Sequence, residues 1–571
     1  MLLCALNAKY IHTNIALRLI KEYCVSLGAE NIELAEYTIN NYTEEILKNI
    51  YLSKPDAVAF SCYIWNIKKK KKIAAILKKI MPEIKIIFGG PEVTYNAKEV
   101  LKNCLSCDIV ISGEGEYSFY KLYNSLENNT SLSDVPNILY RNTKNDLISN
   151  LRCDPLDMSV LPFPYTDFSE IENKICYYEA SRGCPFRCQY CLSSVENGVR
   201  FAPISKVKRE LQIFLDQRVK QVKFVDRTFN SKNDFAVEIV KYLIKNDNGI
   251  TNFHFEVAAE LLDDEFVSLL GTARKGLFQL EIGVQSTNKD TLKSISRIGT
   301  FEKLCFYVTK ILSYNNIHIH LDLIAGLPCE GLKSFEKSFN DVYSLSPHQF
   351  QLGFLKILHG SGMEKLCDKY KILYSPFAPY EVLSTDCLSY DDILFLKKIE
   401  DLIDKYYNSN RFVYSMKYLV SHFEDAFTLY STLAKLRNDS EMKNLNHNKN
   451  DSYRFLMTAA SKIKNIDINE FKWILKLDYL LHERPRGIPD WTKDCMNLFT
   501  KDEVYDQIVH RNVIANCYPS LDGRAPKELF EISYTEKMPL NPLTLEKKQT
   551  TIFINYSERN IWDNAEFFLK F

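Results

Sequence analysis

Three cysteines fall within eight residues of the stretch SRGCPFRCQYCLSS: Cys184, Cys188 and Cys191, spaced C-x3-C-x2-C. Thiols this close are either metal ligands or small buried side chains. A structural zinc ion takes four ligands, most often as two C-x2-C pairs far apart in sequence, and the expectation is that the chain holds no second such pair. A [4Fe–4S] cluster held by only three thiolates would keep one iron open. At this point zinc with a distant fourth ligand and incidental thiols both stand as alternatives.

Polar residues recur just after apolar runs. VKFVDRTFN carries Asp226, Arg227 and Asn230; HFEVAAELL carries Glu256 and Glu260; LEIGVQS carries Glu281 and Gln285; DLIAGLPCE carries Ile324 and Gly326. Near the N-terminus, NAKYIHTN holds Asn7, Tyr10 and His12, and SCYIWN holds Ser61 and Tyr63. FGGPE supplies Gly89, Gly90, Pro91 and Glu92, and SGEGE supplies Gly113 and Glu114. The first loop lacks the G-x-G-x-x-G of a dinucleotide site. Each of these positions taken alone is equally a capped strand end; their order along the chain is what points to a site.

The elements that must position them alternate strand and helix. Over residues 1–125, short apolar runs at 2–6, 32–37, 57–62, 84–88 and 108–112 are separated by helical patterns, which predicts a Rossmann-like parallel sheet. The lysine run 68–72 reads as the solvated side of a covering helix. Residues 126–175 read as a hairpin (137–150) and a proline-rich linker (154–168). Residues 176–360 carry six βα repeats, too few for an eight-fold barrel, so a partial TIM-type (β/α)6 barrel is expected. Its strands are placed at 177–181, 221–225, 252–257, 277–282, 318–323 and 349–354. Chemistry in such folds belongs at the carboxyl ends of the strands. Residues 361–571 turn mainly helical, with a stripe at Ile393, Leu396, Ile399 and Ile403 and a loop over 481–491. The expected class is therefore α/β with a mainly helical C-terminal region.

Bulk properties narrow the classes. The 571 residues allow roughly three domains of about 100–200 residues each. Hydrophobic residues make up 46% and charged residues 25%, with zero formal net charge, so no overall basic excess points to nucleic acid. The opening MLLCALNAKYIHTN has no basic n-region and reads as a buried first strand. No apolar run approaches the length of a membrane span. Sixteen cysteines without an export signal fit a reducing cytoplasm, and the thirteen outside the cluster are expected to be buried small hydrophobes.

Cys184, Cys188 and Cys191, with Tyr190 before the last, resemble the defining motif of the radical S-adenosylmethionine (SAM) superfamily. The resemblance implies a [4Fe–4S] cluster whose open iron binds SAM, and reductive cleavage to a 5′-deoxyadenosyl radical. It places Tyr190, Asp226, Arg227, Asn230, Glu260, Glu281, Gln285, Ile324 and Gly326 near SAM. Residues 222–230 depart from the usual Gly-Gly-Glu form. Ser61-Cys62-Tyr63, followed after 25 residues by Gly89-Gly90, resembles the cobalamin-binding domain. The family's D-x-H-x-x-G is replaced by a loop with Asn7, Tyr10 and His12. His12 is then either a lower cobalt ligand or, as preferred here, a hydrogen-bonding or packing residue. The cobalamin set is completed by Ser61, Tyr63, Gly89–Glu92, Gly113 and Glu114.

Together these motifs resemble the cobalamin-binding radical SAM class over about residues 1–360. That class implies methylation of an unactivated carbon as the leading expectation, with radical cyclisation, oxidation or rearrangement as the rival. RNA modification and a non-enzymatic cobalamin sensor or carrier are weaker alternatives. The implied partners are a small-molecule or peptide substrate and an electron donor such as flavodoxin or ferredoxin, with no membrane.

Overall fold

The computed structural model describes the chain except for residues 196–197, 438–448, 484–488, 493–494, 496–498, 508–523, 526–527, 530–531, 560–563 and 571. It divides into two units, Met1–Phe335 with Gly353–Tyr390, and Glu336–Leu352 with Asp391–Phe571.

The first unit opens with β1 (Leu2–Asn7), β2 (Glu33–Thr38), β3 (Ala57–Ser61), β4 (Lys85–Gly89) and β5 (Ile109–Ile111), parallel and ordered 2-1-3-4-5. β6 (Ile138–Arg141) and β7 (Leu147–Ser149) extend the sheet as an antiparallel hairpin. Alternate residues of β1 feed different cores: Leu2, Cys4 and Leu6 one, Leu3 and Ala5 the other. A sheet buried on both faces explains why β1, β3, β4 and β5 read as apolar runs, while the edge strand β2 is only partly buried. The helix Ile15–Ser26 starts where the Asn14 side chain accepts a hydrogen bond from Leu17 N. The strand order reverses between β1 and β3, where open α/β sheets bind ligands.

The lysine run differs from its expected solvated role. The helix Ile67–Ile80 carries it, but Lys70 is fully buried, donating to the Ser61 carbonyl. Burial lowers its pKa to about 8. Amphipathic geometry explains this: one position of five consecutive lysines must face the sheet.

The second sheet begins with β8 (Ile175–Tyr178). A separate antiparallel hairpin follows, β9 (Ser181–Gly183) and β10 (Val199–Phe201). Then come β11 (Gln221–Phe224), β12 (Asn252–Val257), β13 (Phe278–Gln285), β14 (His318–Ala325) and β15 (Gln349–Phe354), in the spatial order 8-11-12-13-14-15. Helices such as Ile204–Asp216, Asn233–Lys245 and Phe301–Ser313 lie between them. The six expected strands are present and the sheet stays open, since β8 and β15 do not pair among the described residues. The β9–β10 hairpin was not anticipated; its strands are three residues each, too short for a periodicity argument. A second short hairpin, β16 (Leu373–Tyr374) and β17 (Val382–Ser384), completes this unit.

The second unit is mainly helical from Asp391 to His482 among the described residues, with the expected stripe of Ile393, Leu396, Ile399 and Ile403 buried. It ends in an antiparallel sheet, β18 (Ser533–Met538), β19 (Thr550–Arg559) and β20 (Ala565–Lys570), packed on Leu477, Leu480 and Leu481. The C-terminal region is thus less uniformly helical than its sequence reading. Of the 481–491 loop, Leu481 and His482 close a helix, and 484–488 lie outside the described residues. Among cysteines outside the cluster, Cys387 is exposed and Cys153, Cys305, Cys329 and Cys367 are half-buried, so the uniform burial expected of them does not hold. No described helix is long and apolar enough to cross a membrane.

Candidate functional site

The cysteine loop is held by the β9–β10 hairpin. Gly183 has φ +101°, and a Cβ there would meet the Gly198 carbonyl oxygen at 2.2 Å. Only glycine fits at that step into Cys184. Ser194 Oγ donates to the carbonyls of Cys188 (2.8 Å) and Cys191 (2.7 Å), and Gln189 N donates to Ile295 O (2.9 Å). Cys184, Cys188 and Cys191 line one cavity of about 180 Å³. Thr228 Oγ1 stands 3.4 Å from Cys184 Sγ, and Arg297 Nη1 stands 4.0 Å from Cys188 Sγ. Burial pushes the Cys188 thiol pKa up, and the Arg297 guanidinium opposes that rise.

The donor set fits an iron–sulfur cluster with an open corner. Three thiols and two guanidiniums, Arg227 and Arg297, share the cavity, and no fourth cysteine lines it among the described residues. The chain does contain another C-x2-C pair, Cys104 and Cys107, which the spacing argument passed over. Both are buried in the core of the first sheet, with Cys107 Sγ directed at Ile109 O (3.4 Å), so they are not ligands here. The cavity volume is below the roughly 300–1,000 Å³ of small-molecule sites. Donor chemistry, not size, carries the fit.

Of the residues assigned to SAM, Tyr190, Arg227, Glu281 and Gln285 line this cavity. Asp226 is turned away: its carboxylate accepts from Ser181 Oγ (2.5 Å) and Ala180 N (3.0 Å) and so anchors the hairpin. Asn230 bonds both the N–H and the carbonyl of Ala258 (2.9 Å each). Glu260 packs on Gly299 and faces Arg297 at 3.9 Å. Gly326 lies against Val382, and neither it nor Ile324 lines the cavity. Thr228, Arg297 and Asp322 do line it and were not singled out, because an isolated Arg or Thr carries no spacing signal. Glu256 also lines it; burial raises its pKa to about 7 against the opposing charge of Arg227.

A larger cavity of about 710 Å³ opens at the carboxyl ends of β1, β3, β4 and β5. Asn7, His12, Ser61, Tyr63 and Gly89 line it, as do Gly90, Pro91, Gly113 and Glu114. Gly90 has φ +105°, and a Cβ there would sit 2.7 Å from Cys62 O. Tyr63 stacks on Trp65 at 4.4 Å. Ser61 Oγ accepts from Asn14 Nδ2 at 3.2 Å. Glu114 is engaged by Arg182 (3.2 Å) and Arg200. Two assigned residues are elsewhere: Tyr10 is 74% exposed, and Glu92 is buried and accepts from the Tyr380 hydroxyl. Arg227 lines both cavities. Its charge acts on Glu256 on one side and on Tyr63 on the other.

Residues 1–122 match the family described as B12 binding domain, residues 178–342 match the Radical SAM superfamily, and residues 368–554 match Protein of unknown function (DUF4080). The chain is 24% identical over 334 residues to 2-(S-pantetheinyl)-carbapenam-3-carboxylate methyltransferase of Streptantibioticus cattleyicolor, covering 52% of this chain and 46% of that protein. It is 24% identical over 326 residues to the cobalamin-dependent radical SAM methyltransferase TokK of Streptomyces tokunonensis, covering 53% and 47%. The chain thus spans about half the length of these curated relatives. The solved cobalamin-dependent radical enzyme OxsB, with aqua-cobalamin and S-adenosylmethionine bound, has the same fold (TM-score 0.59, 16% identity, 90% of this chain and 84% of that one). TsrM from Kitasatospora setae also shares it (TM-score 0.55, 14% identity, 64% and 78%). The chain thus matches a B12-binding domain over residues 1–122 and a radical SAM domain over residues 178–342, and Arg227 lines both the three-thiol cavity and the cavity at the sheet edge.

Proposed function

We propose that this chain is a cobalamin-dependent radical SAM methyltransferase acting on an unactivated carbon. The observation that carries the reading is the shared wall: Arg227 lines both the three-thiol cavity and the cavity at the sheet edge. When bound, the cluster with SAM supplies a hydrogen-abstracting radical, and cobalamin supplies a transferable methyl group.

The chain's own residues would do the positioning. Cys184, Cys188 and Cys191 would hold the cluster, with Arg297 offsetting thiolate charge near Cys188. Tyr190, Arg227 and Gln285 would contact SAM. Asn7, His12, Ser61, Tyr63, Gly89, Gly90, Pro91 and Gly113 would contact the corrinoid. Gly90 permits close backbone approach there. Arg227 would keep the two ligands in one reaction space, where near-attack geometry does the work. The substrate, a small molecule or peptide, and the electron donor are part of this proposal.

Anaerobic reconstitution with cobalamin and SAM carrying a deuterated methyl group, in the presence of cell extract, tests it. The expected result is a labelled product with both S-adenosylhomocysteine and 5′-deoxyadenosine formed. Deoxyadenosine alone, with cofactors loaded, would sink methyl transfer and favour a cyclase-type outcome. A specific similarity supports that rival: 22% identity over 340 residues to the anaerobic magnesium-protoporphyrin IX monomethyl ester cyclase of Rubrivivax gelatinosus, covering 57% of this chain and 61% of that one.

A further inference from the structure

The inner face of the second sheet carries ionisable side chains where parallel barrels normally pack branched apolar ones. Register aligns Glu256 with Glu281 and Glu281 with His320, and sets Asp322 beside Gly283. Alternation along β14 puts His320 and Asp322 on one face. Ligand atoms of Glu281, His320 and Asp322 all lie within 4.8 Å of one another.

These groups pair by distance and charge without well-aligned hydrogen bonds. His320 Nε2 lies 3.0 Å from Asp322 Oδ1, yet neither atom makes a directed hydrogen bond. His320 is 6% exposed. His254 Nε2, 3.1 Å from Glu281 Oε2, likewise lacks an aligned hydrogen bond, while that oxygen accepts from Lys223 Nζ. A buried nitrogen and oxygen near 3 Å that point past one another are arranged as two ligands of a common ion would be, since each would stand about 2.0–2.2 Å from it.

We propose that Glu281, His320 and Asp322 form a binding site for a divalent transition-metal ion on the floor of the cysteine cavity. One imidazole and two carboxylates, with no thiolate, suit Zn²⁺, Mn²⁺ or Fe²⁺. Lys223 Nζ, 2.9 Å from Glu281 Oε2, would share that carboxylate with the ion. Glu281 and Asp322 both line the cavity. An ion between them would offer its open position there to an anionic or carbonyl oxygen of the substrate. The site is independent of the methyl-transfer reading, because it is defined by metal content and not by product.

The test uses holoenzyme with cluster and cobalamin loaded, exposed anaerobically to Zn²⁺ alone and then dialysed. Metal analysis should find about one zinc per chain in addition to cluster iron and cobalamin cobalt. His320→Ala and the near-isosteric Glu281→Gln should each lower zinc retention roughly tenfold or more, with cobalamin retention reporting that the variants fold. A Cys184→Ala/Cys188→Ala/Cys191→Ala protein should keep its zinc. The proposal is overturned if wild-type holoenzyme retains no zinc, if both barrel variants retain as much as wild type, or if zinc follows the cysteines.

Discussion

Nδ1 of His12 lies 2.8 Å from the hydroxyl of Tyr177, which ties the loop after β1 to the first strand of the second sheet. Burial and the charges of Lys9 and Lys223 lower the His12 pKa, so the ring is neutral near pH 7. A neutral ring oriented by a tyrosine serves as a wall of the larger cavity. His12→Ala is expected to weaken cobalamin retention less than about tenfold and to leave nitrogen splitting in the cob(II)alamin resonance spectrum unchanged. Loss of that splitting would make His12 the lower ligand.

Arg297 ties β13 to the cysteine loop, donating to the Gly283 carbonyl and facing Cys188 Sγ. In Arg297→Leu the carbonyl loses its partner, which costs about 1–3 kcal/mol of stability. The cluster also loses a neighbouring cation that favours its more negative, reduced state. Its potential, followed by a redox titration, should move to more negative values. Arg297→Lys should recover part of that shift; an unchanged potential in both variants would count against the role.

Asp226 is buried with both oxygens accepting hydrogen bonds, and burial nevertheless raises its pKa to about 7. The folded state therefore binds the proton more tightly than the unfolded chain. This contribution is fully present below about pH 4 and is lost as pH rises toward 7. At about 1.4 kcal/mol per pH unit it amounts to at most roughly 4 kcal/mol. Asp226→Asn should flatten the fall in stability between about pH 4 and 7 in denaturant titrations. An equally steep fall in the variant would assign the dependence to another group.

Gly90 adopts φ +105°, with Cys62 O 2.7 Å from where a Cβ would stand. Gly90→Ala should cost at least about 1–3 kcal/mol and reduce cobalamin binding, read by equilibrium dialysis. Gly28→Ala is the control. Gly28 also has positive φ (+85°) but open space around it, so it should show backbone strain without loss of cobalamin.

Much of this architecture was legible because burial on both faces writes itself as unbroken apolar runs. β1, β3, β4 and β5 appear close to their expected positions for that reason; β2 and the six strands of the second sheet also fall near theirs, although β2 is only partly buried and most of the six alternate buried with partly exposed residues. β18 to β20 were missed although Thr550–Arg559 is rich in β-branched and aromatic residues, because the helical stripe before it set the expectation for the whole region. The cysteines and the glycines of FGGPE were legible as local spacings. Asp226, Asn230 and Glu92 were assigned to ligands, but their side chains are committed to backbone groups of Ala180 and Ala258, to the Ser181 hydroxyl or to a tyrosine hydroxyl. A strand-end polar residue looks the same in sequence whether it faces a ligand or a neighbouring loop.

The sequence by itself determined the three-thiol donor set and the order of sheet-forming runs, since both depend on residue type at short spacing. Only the tertiary structure decided that Arg227 stands between two cavities, that Arg297 faces Cys188, and that Lys70 is buried inside a run of charges. The same holds for Glu281, His320 and Asp322, which lie up to 41 residues apart in the chain and meet only through strand register. Contacts of that kind are set by packing and pairing between elements, and a spacing along the chain carries no record of them.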